Sequence, residues 1–398
     1  MTKLLPINQL TTKRELSLDA FRGITFLVMI FVNFIAGVNG IPDGIKHMPA
    51  GYDGMSLADI VFPCFLFIVG MSIPFGINSR INKGDSFFKV QWHIAYRAFG
   101  LIVMGFYMVN TEDGFNEKAM GMSIDIWALL FYGAVLLVWG VYRFKNPLLN
   151  LTLRTVGVVT IVVLGLIYRS GPDGSGWMVP EWWGILGCIG WAYLLTCVLY
   201  QLARGRVALL VLAIAGCVAY FILSDRFGWN EVISMHVTHS SMVLAGLVCA
   251  LLFFDEGRNS DRSEGVSRRF KDAAFFAAVL ALAGWGSHHA YIISKIGATP
   301  PWALYCSAIA VLIFMLLYWL INLCHTDQWV AAVEPAASNP LITYLIPHVV
   351  DCLIRYFSLA WPLLLVNGLG GFVFAIFYSC AVIWIVSRMN RFNMRLKI

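Results

Sequence analysis

The chain has 398 residues, of which 59% are hydrophobic and 13% are charged, and its mean hydropathy is +0.75. A soluble domain carries about 25% charged residues, so this composition excludes an ordinary soluble protein and indicates one that crosses a membrane many times. The net charge of +6 at pH 7 does not indicate nucleic-acid binding here. In a membrane protein it matters through the loops that hold the cations.

Apolar segments recur along the whole chain, and a membrane span needs about 20 such residues. We therefore predict an all-α polytopic transmembrane bundle of about 10–12 spans, folded as one domain over residues 1–398. The twelve predicted spans are 18–39, 57–78, 92–110, 124–142, 151–168, 182–201, 206–224, 232–254, 272–292, 301–323, 339–358 and 367–387.

The lysines and arginines concentrate in alternate loops. With a cytoplasmic N-terminus, most of them lie in the inner loops and the C-terminal tail, among them Arg80, Lys83, Arg204, Arg206, Arg388 and Arg391. The outer loops then hold few, namely Lys46, Lys118, Arg169, Arg226 and Lys295, with Arg355 near a helix end. The positive-inside rule therefore predicts that both termini are cytoplasmic and that the loop between the first two spans faces outward.

Residues 14–79 form a predicted helix-loop-helix with polar groups at membrane depth, where they are costly unless paired or hydrated. Asp19 and Arg22 are three residues apart and can pair on one helix face. This fits a structural ion pair, and it also fits recognition of an anionic group that enters from the cytoplasm. Asn33 returns to the face of Arg22 after three turns, about 16 Å further along the helix.

The loop over residues 38–56 is rich in glycine and proline and contains one histidine, His47. A lone loop histidine is ordinarily a surface residue. Here Asp43, Asp53 and Asp59 lie close in sequence, and a carboxylate can orient an imidazole for work as a base or nucleophile. We therefore treat His47 as a candidate catalytic residue.

Later segments carry further polar residues. Arg97 begins the third span, where it either contacts phosphate or extends to the membrane interface as an anchor. His236 and His239 have H-x-x-H spacing, but neither Glu nor Cys completes a ligand set in the sequence, so we expect no metal. Asn339 and His348 place polar groups on the eleventh span, which we expect to face the bundle interior.

One stretch resembles a known family. The pattern S-L-D-x-F-R-G-I-x-x-x-x-M-x-x-V-N, followed by K-H-x-x-x-x-G-M-S-L-A-D-I-V-F-P-x-F-L-F-I-V-G-x-S-I, resembles the heparan-α-glucosaminide N-acetyltransferase family, which includes bacterial membrane proteins. The resemblance is strong over about residues 16–110 and weaker at 301–305 and 339–348. Residues 111–270 match poorly, and we interpret the helix pair at about 182–224 as an insertion.

The resemblance implies transfer of an acetyl group from cytosolic acetyl-CoA to an amino sugar or related glycan outside, at a bacterial inner membrane. The family's active histidine corresponds to His47 and its partner asparagine to Asn33, while Asp59 matches the A-D-I-V-F-P motif. His47 would act as a base or as an acetyl carrier, and Asn33 would stabilise the oxyanion. We predict that CoA phosphates bind near the inner-side cations Arg22 and Arg97. The full set of predicted cofactor-binding residues is Asp19, Arg22, Arg97, Asn339 and His348.

Two other functions remain open from the sequence. Twelve spans with polar groups at membrane depth also fit a transporter or flippase for a sugar, peptide or lipid-linked intermediate. A catalytically inactive family member that acts as a sensor or assembly partner is the third reading. The expected partners are acetyl-CoA, a glycan acceptor and the lipid bilayer, and a homodimer is possible.

Overall fold

A computed structural model describes residues 7–10, 15–142, 144, 146–180, 182–256 and 265–397. Within these residues the chain is helical, and β-pairing is limited to isolated bridges. The all-α prediction is confirmed. Arg14, the first residue of the predicted helix-loop-helix, lies outside the described residues.

Twelve helices of 16 residues or more coincide one by one with the twelve predicted segments, and two shorter helices join them. In chain order the helices are α1 (Leu16–Ala36), α2 (Leu57–Asn82), α3 (Phe87–Val109), α4 (Glu117–Met120), α5 (Ile124–Trp139), α6 (Pro147–Ile167), α7 (Gly184–Leu202), α8 (Val207–Phe227), α9 (Glu231–Phe254), α10 (Gly265–His288), α11 (Pro300–Tyr318), α12 (Val330–Ser338), α13 (Pro340–Tyr356) and α14 (Gly368–Arg391).

Nine of the described helices are long and apolar enough to cross a membrane. They are α1, α2, α3, α6, α7, α8, α9, α14 and α11 together with the π-helical turn that follows it. The apolar α5 has only 16 residues. α10 begins with a charged turn, and α13 has 17 residues that include Asp351 and Arg355. The protein is therefore a polytopic membrane bundle, and the full count of twelve spans stays a prediction.

The long helices run alternately between two ends of the bundle. At the end where α1 finishes, which we call the histidine end, the Gly54 amide donates to the Ile293 carbonyl and the Gly368 amide donates to the Asn39 carbonyl. At the opposite end, which we call the cation end, the Lys397 amide donates to the Trp139 carbonyl. Most described lysines and arginines lie at the cation end. The two ends of the bundle therefore differ in charge, and this is the difference from which its orientation in the membrane was predicted.

The most buried of these apolar helices is α9, in which 94% of the residues in the most apolar stretch are buried. It packs closely on α2 because small residues face the partner backbone. A Cβ atom at Gly70 would overlap the Val243 carbonyl, and one at Gly246 would overlap the Phe67 carbonyl. Small residues allow such close helix contacts in membranes, where apolar burial alone does not drive association. This contact fixes α2, the helix that carries Asp59.

We expect Gly246→Ala to destabilise the bundle, because its new methyl group has no space against the α2 backbone. Overpacking of this kind costs about 1–3 kcal/mol. The matched control is Gly216→Ala on α8, where a Cβ atom meets nothing within 4 Å. Thermal unfolding in detergent should show a lower midpoint for Gly246→Ala only. Equal midpoints for the two variants would contradict this packing account.

Candidate active site

The candidate site is built on Asp59 in the first turn of α2, whose side chain is 1% exposed. Its Oδ2 accepts hydrogen bonds from the Met48 amide at 3.2 Å and from the Ser56 amide and hydroxyl, both at 3.1 Å. Ser56 and Asp59 form a reciprocal capping box at the start of α2. The carboxylate therefore fixes the helix start and the end of the preceding loop at once.

The other oxygen of Asp59 contacts His47, since Oδ1 lies 2.9 Å from His47 Nδ1. The sequence predicted that a carboxylate would orient this imidazole, and among the three candidate aspartates Asp59 makes this contact. When Nδ1 carries the proton and donates to Asp59, Nε2 is left with a free lone pair. The His47 side chain is 39% exposed, so Nε2 is available to a substrate.

Lys295, in the loop between α10 and α11, completes the cluster. Its Nζ lies 3.1 Å from His47 Nδ1, 3.5 Å from His47 Nε2 and 3.9 Å from Asp59 Oδ1. One Nδ1 cannot both donate to Asp59 and accept from Lys295, so the two contacts favour different tautomers. Burial lowers the pKa of the Lys295 ammonium, and the Asp59 carboxylate opposes that shift.

Sequence reasoning placed Lys295 only among the outer-loop cations. It lies 248 residues from His47 along the chain, and no local pattern links the two. The one available signal was its rarity, since few cations occur in the loops predicted to face outward.

The loop that carries His47 is clamped to the loop that carries Lys295. Both oxygens of Asp53 lie 2.9 Å from His288 Nε2, and Asp53 Oδ1 accepts from the Ile293 amide at 2.8 Å. The Ile293 amide and then His288 hold the pKa of Asp53 below its ordinary value. The Ser294 hydroxyl also donates to the Ala50 carbonyl at 3.1 Å. These bonds set the distance between His47 and Lys295.

A cavity of about 390 Å³ opens at the histidine end between α3, α5, α7 and α13. Its polar lining includes Glu112, Trp182, His348, Asp351 and Arg355. The Trp182 indole donates to Glu112 at 3.2 Å, and burial raises the pKa of the Glu112 carboxyl. This cavity combines carboxylates, a cation and an aromatic face, which suits a polar organic ligand.

A second cavity, of about 570 Å³, opens at the cation end and is lined by α1, α12, α14 and the C-terminal tail. Asp19 and Arg22 of α1 line it, together with Arg391 and Arg395. Arg22 donates to Asp19 at 3.1 Å and to the Ser72 hydroxyl on α2 at 3.0 Å. Three guanidinium groups against two carboxylates, those of Asp19 and Glu334, leave an excess of positive charge at this cavity, which favours an anion.

Two other predicted cofactor-binding residues lie outside the linings of these cavities. Arg97 lies over the Tyr193 ring, 5.1 Å from its centroid, in a small cleft that also holds Arg80 and His93. Asn339 is fully buried, and its amide nitrogen donates to Asn390 at 3.0 Å and to the Met394 carbonyl at 2.8 Å. Asn339 thus ties the C-terminal tail to the start of α13. His348, predicted to act with these residues, lies instead at the histidine-end cavity.

Asn33 is exposed on α1, and no hydrogen bond joins it to His47 within the part of the chain that the structure describes. Met29 and Ile30, one turn earlier, belong to the same core cluster as Tyr344 and Cys352, which line the histidine-end cavity. Asn33 itself is not among the residues that line this cavity.

His236 and His239 lie beside Cys188 of α7, and candidate ligand atoms of the three residues lie within 4.8 Å of one another. The sequence argument that no cysteine accompanies the H-x-x-H pair is wrong in this respect. The contact joins residues of α7 and α9 that are far apart in sequence, and a spacing motif cannot reveal it.

Comparison with known proteins places these residues in a family context. The family model described as "Domain of unknown function (DUF5009)" matches residues 14–233. Heparan-alpha-glucosaminide N-acetyltransferase of Homo sapiens is 42% identical over 94 residues, and the same enzyme of Mus musculus is 38% identical over 92 residues. These alignments cover 24% and 23% of this chain and 13% of each relative. The predicted resemblance is confirmed over that stretch, and because the family model covers more than half of the 398 residues, the chain belongs to the DUF5009 family.

Proposed function

We propose that the protein transfers an acetyl group from acetyl-CoA on the cytoplasmic side to an amine or hydroxyl of a glycan acceptor on the other side of the membrane. The observation that carries the proposal is the His47–Asp59 pair with Lys295 beside it, on a membrane bundle with a cavity at each end. The partial similarity to heparan-alpha-glucosaminide N-acetyltransferase supports the reaction class.

The cation-end cavity is the proposed acetyl-CoA site. Arg22, Arg391 and Arg395 offer several guanidinium donors, which bind phosphate in bidentate geometry. Arg395 also lines a neighbouring, mainly apolar cavity of about 620 Å³ between α5, α6 and the tail. The CoA phosphates would bind the guanidinium groups of the first cavity, and the less polar parts of CoA would contact the apolar lining of the second.

The distance between the two cavities supports a path for the thioester. Ser338 lines the cation-end cavity and His348 lines the histidine-end cavity. α13 begins at Pro340, two residues after Ser338, and its rise from Pro340 to His348 is about 12 Å. The bilayer core is about 30 Å thick, so along α13 the cavities are separated by less than half of it.

The histidine-end cavity is lined by neither His47, Asp59 nor Lys295, and it is the proposed site for the part of the acceptor remote from the reacting group. Glu112 and Asp351 can accept hydrogen bonds from sugar hydroxyl or amino groups, and Arg355 can donate to acceptor oxygens. Arg355 is held by Asp125 at 2.8 Å, which orients its guanidinium at the cavity wall. The Trp182 ring offers the flat apolar surface that a sugar ring can cover.

In the proposed reaction His47 acts as the general base. The neutral acceptor amine attacks the thioester carbon, its proton passes to His47 Nε2, and the C–S bond breaks. The leaving CoA thiolate then takes up this proton from His47. Asp59 stabilises the imidazolium through Nδ1–H, as the third group of a nucleophile–base–orienter set does. Lys295, whose Nζ lies 3.5 Å from His47 Nε2, donates to the oxyanion in the role that the sequence analysis gave to Asn33.

His47→Ala should reduce acetyl transfer by a factor of about 10² to 10⁴, the usual contribution of a general base. The matched control is His289→Ala, an exposed histidine at the same end of the bundle. The measurement is transfer of radiolabelled acetyl from acetyl-CoA to glucosamine by protein purified in detergent. Comparable rates for His47→Ala and wild type would overturn the assignment. A burst of CoA release without acceptor would favour the acetyl-histidine route instead.

Lys295→Arg should move the alkaline limb of the pH–activity profile upward. Burial lowers the pKa of Lys295, so wild type loses this positive charge below the pH at which a free lysine does, while arginine keeps it. Lys295→Met should lose about 10²-fold in kcat, the effect of removing one oxyanion donor. An unmoved alkaline limb in Lys295→Arg would show that the charge at this position does not act on the reaction.

Arg395→Gln should weaken acetyl-CoA binding by a factor of about 10 to 150, because one charge-assisted hydrogen bond contributes about 1.5–3 kcal/mol. Lys118→Gln, an exposed cation at the histidine end, is the control and should bind normally. The readout is the acetyl-CoA concentration that half-maximally raises the thermal midpoint. If Lys118→Gln weakened acetyl-CoA binding and Arg395→Gln did not, acetyl-CoA would bind at the histidine end, which contradicts the proposal.

A further inference from the structure

A cluster of one thiol and two imidazoles lies buried between α7 and α9. Cys188 is 1% exposed, His239 is 4% exposed, and His236 is half-buried one helical turn from His239. Candidate ligand atoms on the three side chains lie within 4.8 Å of one another. Atoms that share one metal at bond lengths of about 2.0–2.3 Å lie roughly 3.6 Å apart, so side-chain adjustments of about 1 Å would close the set.

Three of the four imidazole nitrogens of this cluster lack a partner among the residues that the structure describes. They are both ring nitrogens of His236 and Nδ1 of His239, all of them buried. A buried polar group without a partner is destabilising, and native structures keep few of them without a reason. The surroundings of the two rings are aromatic: Trp183 and Trp191 lie near His236, and Phe62 and Trp302 lie near His239.

We propose that Cys188, His236 and His239 form a copper(I) site. A thiolate with two imidazoles is a soft ligand set that suits copper or zinc. Charge decides between them: Cu⁺ with one thiolate and two neutral imidazoles is neutral, whereas Zn²⁺ leaves a net positive charge in an apolar interior.

Cu⁺ binds in exchange for a proton, and no electron is transferred. Cu⁺ displaces the proton of the Cys188 thiol, a Cu–S bond forms, and the proton leaves to solvent. The two neutral imidazoles each give one lone pair. The bound ion cross-links α7 and α9 next to Trp302, whose indole donates to the Asp59 carbonyl at 3.1 Å. This site is independent of the proposed acetyl transfer and needs none of its substrates.

The test uses the full chain purified in detergent and loaded anaerobically with Cu⁺ in ascorbate. After washing with a chromophoric Cu⁺ chelator, wild type should retain one copper per chain, and X-ray absorption should show one sulfur and two nitrogen neighbours. Cys188→Ala and His239→Ala should lose it, with at least 100-fold weaker retention. Cys249→Ala is the matched control, because this cysteine is also fully buried but lies outside the cluster.

Three results would overturn the proposal. They are wild type without retained copper, Cys188→Ala with wild-type retention, and a chain that holds zinc when offered equimolar Zn²⁺ and Cu⁺. Thermal unfolding of each variant without metal verifies that a loss of copper is not a loss of fold. If His239→Ala fails this control, Cys188→Ala and the wild-type absorption spectrum still decide.

Discussion

The structure at the histidine end depends on one carboxylate, that of Asp59. One of its oxygens satisfies two backbone amides and a hydroxyl at the start of α2, and the other holds the His47 ring. A buried carboxylate is costly unless its lone pairs are used, and here they are used by the groups that the site must position. The same interaction therefore caps a membrane helix and fixes the orientation of the proposed base.

Two long-range contacts support that carboxylate. The small residues between α2 and α9 hold the helix that carries it, and Asp53 joins its loop to the loop of Lys295 through His288 and the Ile293 amide. These contacts also have a chemical consequence, because they place a cation, the Lys295 ammonium, beside His47. The site is thus a product of packing between elements far apart in sequence, although its two central residues are twelve residues apart.

The sequence predicted much of this arrangement, and what it missed has a physical reason. Hydropathy placed all twelve long helices, because an apolar run of span length has few alternatives in a membrane protein. The His47–Asp59 contact was predictable because a short loop joins the two residues. Lys295 and Cys188 were not, since they meet their partners only through helix packing. Asn339 was grouped with the cofactor residues for its polarity, yet its amide is used to hold the C-terminal tail.

The central claim is that the acetyl group crosses the membrane within this bundle. It is tested most directly in sealed proteoliposomes that hold acetyl-CoA on the cation-end side only and glucosamine on the histidine-end side only, with orientation fixed by protease access to the tail. The account predicts acetylated glucosamine on the histidine-end side and free CoA on the other. Product that forms only when both substrates share one side would contradict it.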